Sequence, residues 1–263
     1  MAKGKAKVDY LGKQGGIVMS TTPDWGFIYS KSLVKDSKWN VGDRAVLPDG
    51  REFRYAKSSA ACLSGQGCEF TATGYVAITT FATGHAVGVT KITVPAATHA
   101  ALAEDELRGG YAVIYDGTTN NVQFREIVGN QASILNVAFD IELDGGLSEA
   151  VVSAVSKIEV FQNPYGALRT GTTNELAKAG VPATAVSAAS TYFWVQVKGP
   201  CWVAPQATVT GNEIGCMWRH DGSLIDVEVA IGGTTSANNS TQYAGHTIEG
   251  NYTGNGPLFM LGM

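Results

Sequence analysis

The chain has 263 residues, 44% of them hydrophobic and only 16% charged, against about 25% charged in an average soluble domain. That balance excludes disorder, which goes with high charge and few apolar residues, and no run of 18 apolar residues provides a transmembrane helix. The net charge of −4 hides an asymmetry, because residues 1–57 hold eleven Lys/Arg against six Asp/Glu and the other 206 hold eight against seventeen. The 32 glycines, with abundant Ala, Ser and Thr, suit many short strands joined by tight turns. A mainly β fold is expected: an antiparallel sandwich or barrel-like body carrying an extended N-terminal arm and two short helices.

Residues 1–24 read as the arm. Lys3, Lys5, Lys7 and Lys13 are interleaved with Gly and Ala, which describes a protein-contacting or solvated segment; a nucleic-acid-binding fold would want aromatics or a structured groove. No apolar stretch of secretory type follows, so synthesis in the cytosol is expected. The body then spans 25–263, with a division near 57–74 that would separate a small hairpin region from a main domain. Trp25, Phe27 and Tyr29 alternate as on one face of a short strand. Val41–Leu47, the turn Pro48-Asp49-Gly50 and the alternating Arg51, Phe53 and Tyr55 form a hairpin, with Pro presetting the turn and Gly supplying positive φ.

From Gly74 onwards strands are expected at Tyr75–Phe81, Val87–Val94, Tyr111–Tyr115, Val122–Val128, Ile134–Leu143 and Lys157–Phe161. Later ones are Tyr192–Val197, Cys201–Ala204, Ile214–Trp218 and Leu224–Ile231. Turn signals such as Asp116-Gly117, Asp144-Gly145-Gly146 and Asp221-Gly222 fall between them. Ala96–Arg108 carries a helical pattern ending at Gly109-Gly110. Thr172-x-x-Glu175 offers a capping box for a second helix ending near Gly180. Ser148–Val155 is read as a further helical turn, and 232–256 as a long polar loop holding at most one weak strand.

His85, His99, His220 and His246 are scattered, and no metal-binding, nucleophile-elbow or phosphate-loop pattern accompanies them. No catalytic residue, cofactor or metal site is therefore assigned. Cys62 and Cys68 lie six apart and Cys201 and Cys216 fifteen apart, not zinc spacing; reduced structural thiols are expected, with a Cys62–Cys68 disulfide as the alternative. Asp140-x-Glu142-x-Asp144-Gly145 imitates the start of a calcium loop, but position 12 is Val151 rather than Glu. The favoured reading is a strand with Val137, Phe139, Ile141 and Leu143 inward and the carboxylates outward; a glycosidase-like carboxylate pair is the alternative. Trp194 and Trp202 are read as core, with a sugar platform as the alternative. Trp25, Trp39 and Arg51 are the contact candidates, since Trp and Arg are enriched at interface hot spots.

Several strings resemble structural proteins of tailed bacteriophages. They are Trp39-x-Val41-Gly42-Asp43-Arg44 with Leu47-Pro48-Asp49-Gly50-Arg51-Glu52-Phe53-Arg54-Tyr55-Ala56-Lys57, then Gly110-Tyr111 and Phe124-Arg125-Glu126-Ile127-Val128-Gly129-Asn130-Gln131-Ala132. Asn163-Pro164-Tyr165, Gly180-Val181-Pro182 and Tyr192-Phe193-Trp194-Val195-Gln196-Val197-x-Gly199-Pro200 follow in order. The resemblance covers residues 39–204 and implies a virion protein of the head, of decoration or cement type. It implies a β-tulip or related domain, an arm reaching along neighbouring subunits, attachment outside the shell of the major capsid protein, and self-association, with a trimer expected. It brings no catalytic residues, no direct contact with nucleic acid and no membrane. A phage surface or fibre module binding host glycans is the alternative function.

Overall fold

The computed structural model describes residues 8–9, 17–18, 25–117, 121–171, 176–204, 214–226, 239–249 and 258–262. Among them the architecture is mainly β, in curled antiparallel sheets. The helical elements there are two single-turn 3-10 segments, Gly26–Tyr29 and Pro164–Gly166. Ala72–Pro164 gathers into one compact unit, and Gly16–Thr71 with Tyr165–Met263 forms most of another. The first is thus an insertion within the sequence of the second, the host unit.

The host unit begins with β1 (Val8–Asp9), β2 (Ile17–Val18), β3 (Arg44–Val46), β4 (Glu52–Lys57) and β5 (Cys68–Phe70). The inserted unit supplies β6 (Gly74–Thr80), β7 (Lys91–Val94), β8 (Tyr111–Tyr115), β9 (Val122–Asn130), β10 (Phe139–Leu143) and β11 (Lys157–Phe161). The host resumes with β12 (Leu168–Thr170), β13 (Lys178–Pro182), β14 (Tyr192–Trp202), β15 (Gly215–Arg219), β16 (Leu224–Asp226), β17 (Asn239–Glu249) and β18 (Leu258–Gly262).

In the host unit the strand order is β1-β2-β3-β4-β14-β18-β17-β15-β16, and β13, β5 and β12 branch from β14. Within the expected arm, β1 pairs with β2, and β2 runs parallel to β3. The hairpin forms as expected: Val46 faces Glu52 across the turn and Gly50 takes φ +85°.

β14 organises this unit. Its first half pairs with β4 and its second half with β18. Two separate strands were expected here, but one strand continues through a bend at Gly199-Pro200. Gly199 adopts φ +92°, open to glycine at little cost, and the Gln196 amide donates to the carbonyls of Lys198, Gly199 and Pro200. Side chains alternate along β14, so Phe193, Val195 and Val197 enter one core with Cys62, Cys68 and Leu168, while Trp194 enters another with Phe53, Ile28 and Leu47. A third core gathers Val203, Trp218, Leu224, Phe259 and Leu261.

The inserted unit is an antiparallel six-stranded sheet in the order β6-β11-β8-β9-β10-β7. Its core holds Val76, Phe81, Ile92, Ile114, Ile127, Phe139, Ile141, Ile158 and Val160.

The helical expectations are corrected. Residues 96–108 form turns and an isolated bridge from Leu102 to Ser133, with Asp105 at φ +58°. Asn130 accounts for this: its side chain accepts the Leu107 N–H at 2.7 Å and donates to the Ala103 carbonyl at 2.8 Å, taking groups a helix would bond internally. Gly180 lies within β13 instead of ending a helix; the capping box Thr172–Glu175 falls outside the described residues. Ser148–Val155 is also non-helical, because Val151 bridges to His85. The strand expected at Trp25–Tyr29 is a 3-10 turn closed by the Ile28 N–H on the Trp25 carbonyl.

Candidate functional site

β4, β14 and the 3-10 turn at Gly26–Tyr29 bring six aromatic rings together. Trp194, 1% exposed, lies at their centre. Phe27 stacks on Trp39 with centroids 5.6 Å apart, and both meet Trp194 edge-on at 5.6 and 5.3 Å. Tyr55 stacks on Tyr192 at 5.9 Å, and Trp25 contacts Phe27 at 6.2 Å. A cavity of about 300 Å³ opens over Phe27, Trp39, Tyr55, Tyr192 and Trp194. Its polar wall comes from the segment after the 3-10 turn. The Tyr55 hydroxyl accepts the Asp36 N–H at 3.2 Å, and Asp36 Oδ1 accepts the Lys38 N–H at 2.9 Å. Lys31 Nζ donates to the Ala185 carbonyl at 2.5 Å. Burial raises the ionisation of the Tyr55 hydroxyl above the usual phenol value.

Two of the contact candidates, Trp25 and Trp39, lie half-buried in this cluster. Arg51 sits at the hairpin turn, with Nε 2.6 Å from Asp49 Oδ2, Nη1 donating to the Tyr29 hydroxyl at 3.2 Å, and its guanidinium 5.8 Å above the Phe53 ring. Lys3, Lys5, Lys7 and Lys13 fall outside the described residues. Trp194 is core and presents no exposed platform. Trp202, by contrast, is 51% exposed, with its ring against Gly65.

On β10, Phe139, Ile141 and Leu143 point inward and Glu142 outward, as the alternation implied. Val137 is exposed instead, because the strand starts only at Phe139. Asp140 is 2.9 Å from Lys91 Nζ and accepts the Thr93 hydroxyl at 2.7 Å, which together hold its carboxyl below the usual carboxylate range. Among the described residues no group of His, Cys, Asp and Glu is arranged to hold a metal ion. All four cysteines are free and buried, and burial pushes Cys201 up to about 12.

Two features escaped the sequence reading. Glu69 and Lys178 form a buried ion pair at 3.0 Å, extended by Arg169 Nε on the other Glu69 oxygen at 2.9 Å. The second is the outward face of the inserted sheet. Register aligns Phe161, Tyr111 and Glu126 in one row, Glu159, Val113 and Phe124 in the next, and Lys157, Tyr115 and Val122 in a third. Phe124 is 59% exposed and stacks on Tyr111 with centroids 4.9 Å apart. Parity hid this face. Val122 and Phe124 are apolar but exposed, and Gln123 points inward between them, its carbonyl accepting the Ser148 N–H at 2.8 Å and its amide donating to the Glu149 carbonyl at 3.2 Å.

Comparison with protein families, curated proteins and solved structures finds no match to this chain.

Proposed function

We propose that this chain is a structural virion protein that binds the outside of a tailed-phage head and stabilises the lattice of the major capsid protein, self-associating as a trimer. The observation that carries the reading is the outward face of the inserted sheet, where Val122 and Phe124 are exposed and Phe124 stacks on Tyr111. Phe124 and the part-exposed Tyr111, Tyr115 and Phe161 in registered rows, edged by Lys157, Glu159 and Glu126, have the composition of a contact surface with an apolar centre and a polar rim.

Charge supports the same reading. The inserted segment 72–164 holds ten Asp/Glu against four Lys/Arg, whereas residues 1–57 are net basic. Opposite signs on two parts of one chain favour contacts between copies or with a complementary shell. Low overall charge limits the desolvation cost of covering large surfaces. The strings that resemble phage structural proteins give the reading its particular setting, the head exterior after synthesis in the host cytoplasm.

Co-sedimentation with purified heads tests it. The full chain is expected to bind heads that lack it and delay their thermal disruption. Phe124→Glu, with the fold checked by circular dichroism, is expected to lose that binding. Deleting residues 1–24 is expected to weaken attachment while leaving a folded body. Full binding by both variants contradicts the reading.

A further inference from the structure

We infer that the cavity over Trp39 is a binding site for a single neutral sugar ring, a pyranose. The proposal concerns the host unit alone and stands apart from attachment to heads. It arises from the mismatch between the two sides of the cavity. One side is aromatic, with Phe27, Trp39 and Tyr192 half-buried over the fully buried Trp194. The other carries Lys31, Ser32, Val34 and Asp36, with the hydroxyl of Tyr55 against the Asp36 N–H.

Hydrogen-bonding capacity on the polar side is left over. Tyr55 is 4% exposed, and its oxygen accepts from Asp36 N–H while its own hydroxyl hydrogen has no acceptor among the described residues. Lys31 spends one N–H on the Ala185 carbonyl. Asp36 uses Oδ1 for the Lys38 N–H, and its Oδ2 has no partner among the described residues. The Ser32 oxygen accepts the Val34 N–H at 3.0 Å, leaving the hydroxyl hydrogen to donate.

These facts select the ligand class. An apolar side chain filling the cavity would strip water from Tyr55, Lys31 and Asp36 without replacing their hydrogen bonds. A lone cation would meet Lys31 and a lone anion would meet Asp36, so neither sign of charge is favoured. A pyranose has a C–H face to lie on an aromatic ring and an edge of hydroxyls that both donate and accept, which answers donors and acceptor together. A cavity of about 300 Å³ is at the small end of ligand sites and admits one ring, not a long chain.

The test titrates the full chain with methyl hexopyranosides and methyl N-acetylhexosaminides, read by saturation-transfer NMR and tryptophan fluorescence. At least one glycoside is expected to bind saturably in the millimolar range. Asp36→Ala, at an exposed position, is expected to weaken it about tenfold, the loss of one charge-assisted hydrogen bond. Trp39→Ala is expected to abolish it, and Trp202→Phe to leave it unchanged. Absence of binding by every glycoside overturns the proposal. So does binding that Asp36→Ala leaves intact, or an aromatic amide such as N-acetyltryptophanamide binding where no glycoside does.

Discussion

The ammonium of Lys178 lies 3.0 Å from the carboxylate of Glu69, and both side chains are fully shielded from solvent. The pair is tied further by Lys178 Nζ donating to the His220 carbonyl at 2.7 Å and by Gln242, whose amide oxygen accepts the Lys178 N–H and whose amide nitrogen donates to the Lys178 carbonyl. It thus links β5, β13, β17 and the turn after β15. Removing Lys178 leaves the buried Glu69 with only the part-exposed Arg169 as counter-charge. Lys178→Met is expected to destabilise the host unit by about 3–5 kcal/mol. The double change Glu69→Leu with Lys178→Met is expected to recover most of that loss. Urea denaturation of the three proteins checks both.

The turn between β15 and β16 allows a second test. Gly222 adopts φ +82°, and a Cβ there would collide with the Gly67 carbonyl. Gly222 also accepts the Gly67 N–H at 2.6 Å, so the two loops are locked together. Gly222→Ala is expected to cost more than about 1 kcal/mol, measured as a lower midpoint in chemical denaturation.

Asp221-Gly222 was legible as a turn, as was the Pro48-Asp49-Gly50 hairpin, because in each a glycine is needed at positive φ and flanking residues mark the strand ends. Strands of the inserted unit were legible for a similar reason, since apolar alternation over β10 and β11 reports burial on one face, whereas β17 lies inside the stretch read as a polar loop. Helix 96–108 was misread because a local pattern carries no information about Asn130, which captures that segment's backbone from across the inserted unit. Nothing in the sequence around Lys178 announces Glu69, which the fold brings beside it from 109 residues away. The aromatic cavity was half legible. Trp25 and Trp39 were singled out, but their gathering on Trp194 depends on contacts more than 150 residues apart in sequence.

Thiol chemistry follows from burial. With four free cysteines inside the cores and Cys201 pushed up to about 12, little thiolate is available in the folded protein. Alkylation by iodoacetamide at pH 8, followed by mass spectrometry, is expected to leave the native chain unmodified and to label all four sites after unfolding in guanidinium.

A pH effect is expected at Glu126, on the outward face of the inserted sheet. Desolvation and, second, the charge of Asp144 raise its carboxyl above the usual value. The folded form therefore holds its proton more tightly than the unfolded chain. The contribution favours the folded state below the folded value and is lost as pH rises through it. Glu126→Gln is expected to raise the thermal midpoint slightly at pH 7 and to change it less at pH 4, since the wild-type carboxyl is then largely neutral. An equal shift at both pH values would assign the effect to packing instead.

Electron microscopy of purified phage heads, with this chain traced in the density, bears most directly on its role. Copies seated on the outer surface of the shell, with the Phe124 face covered by capsid protein or by a neighbouring copy, are the expected result. Heads without the polypeptide, or copies lining the inside against DNA, would contradict it.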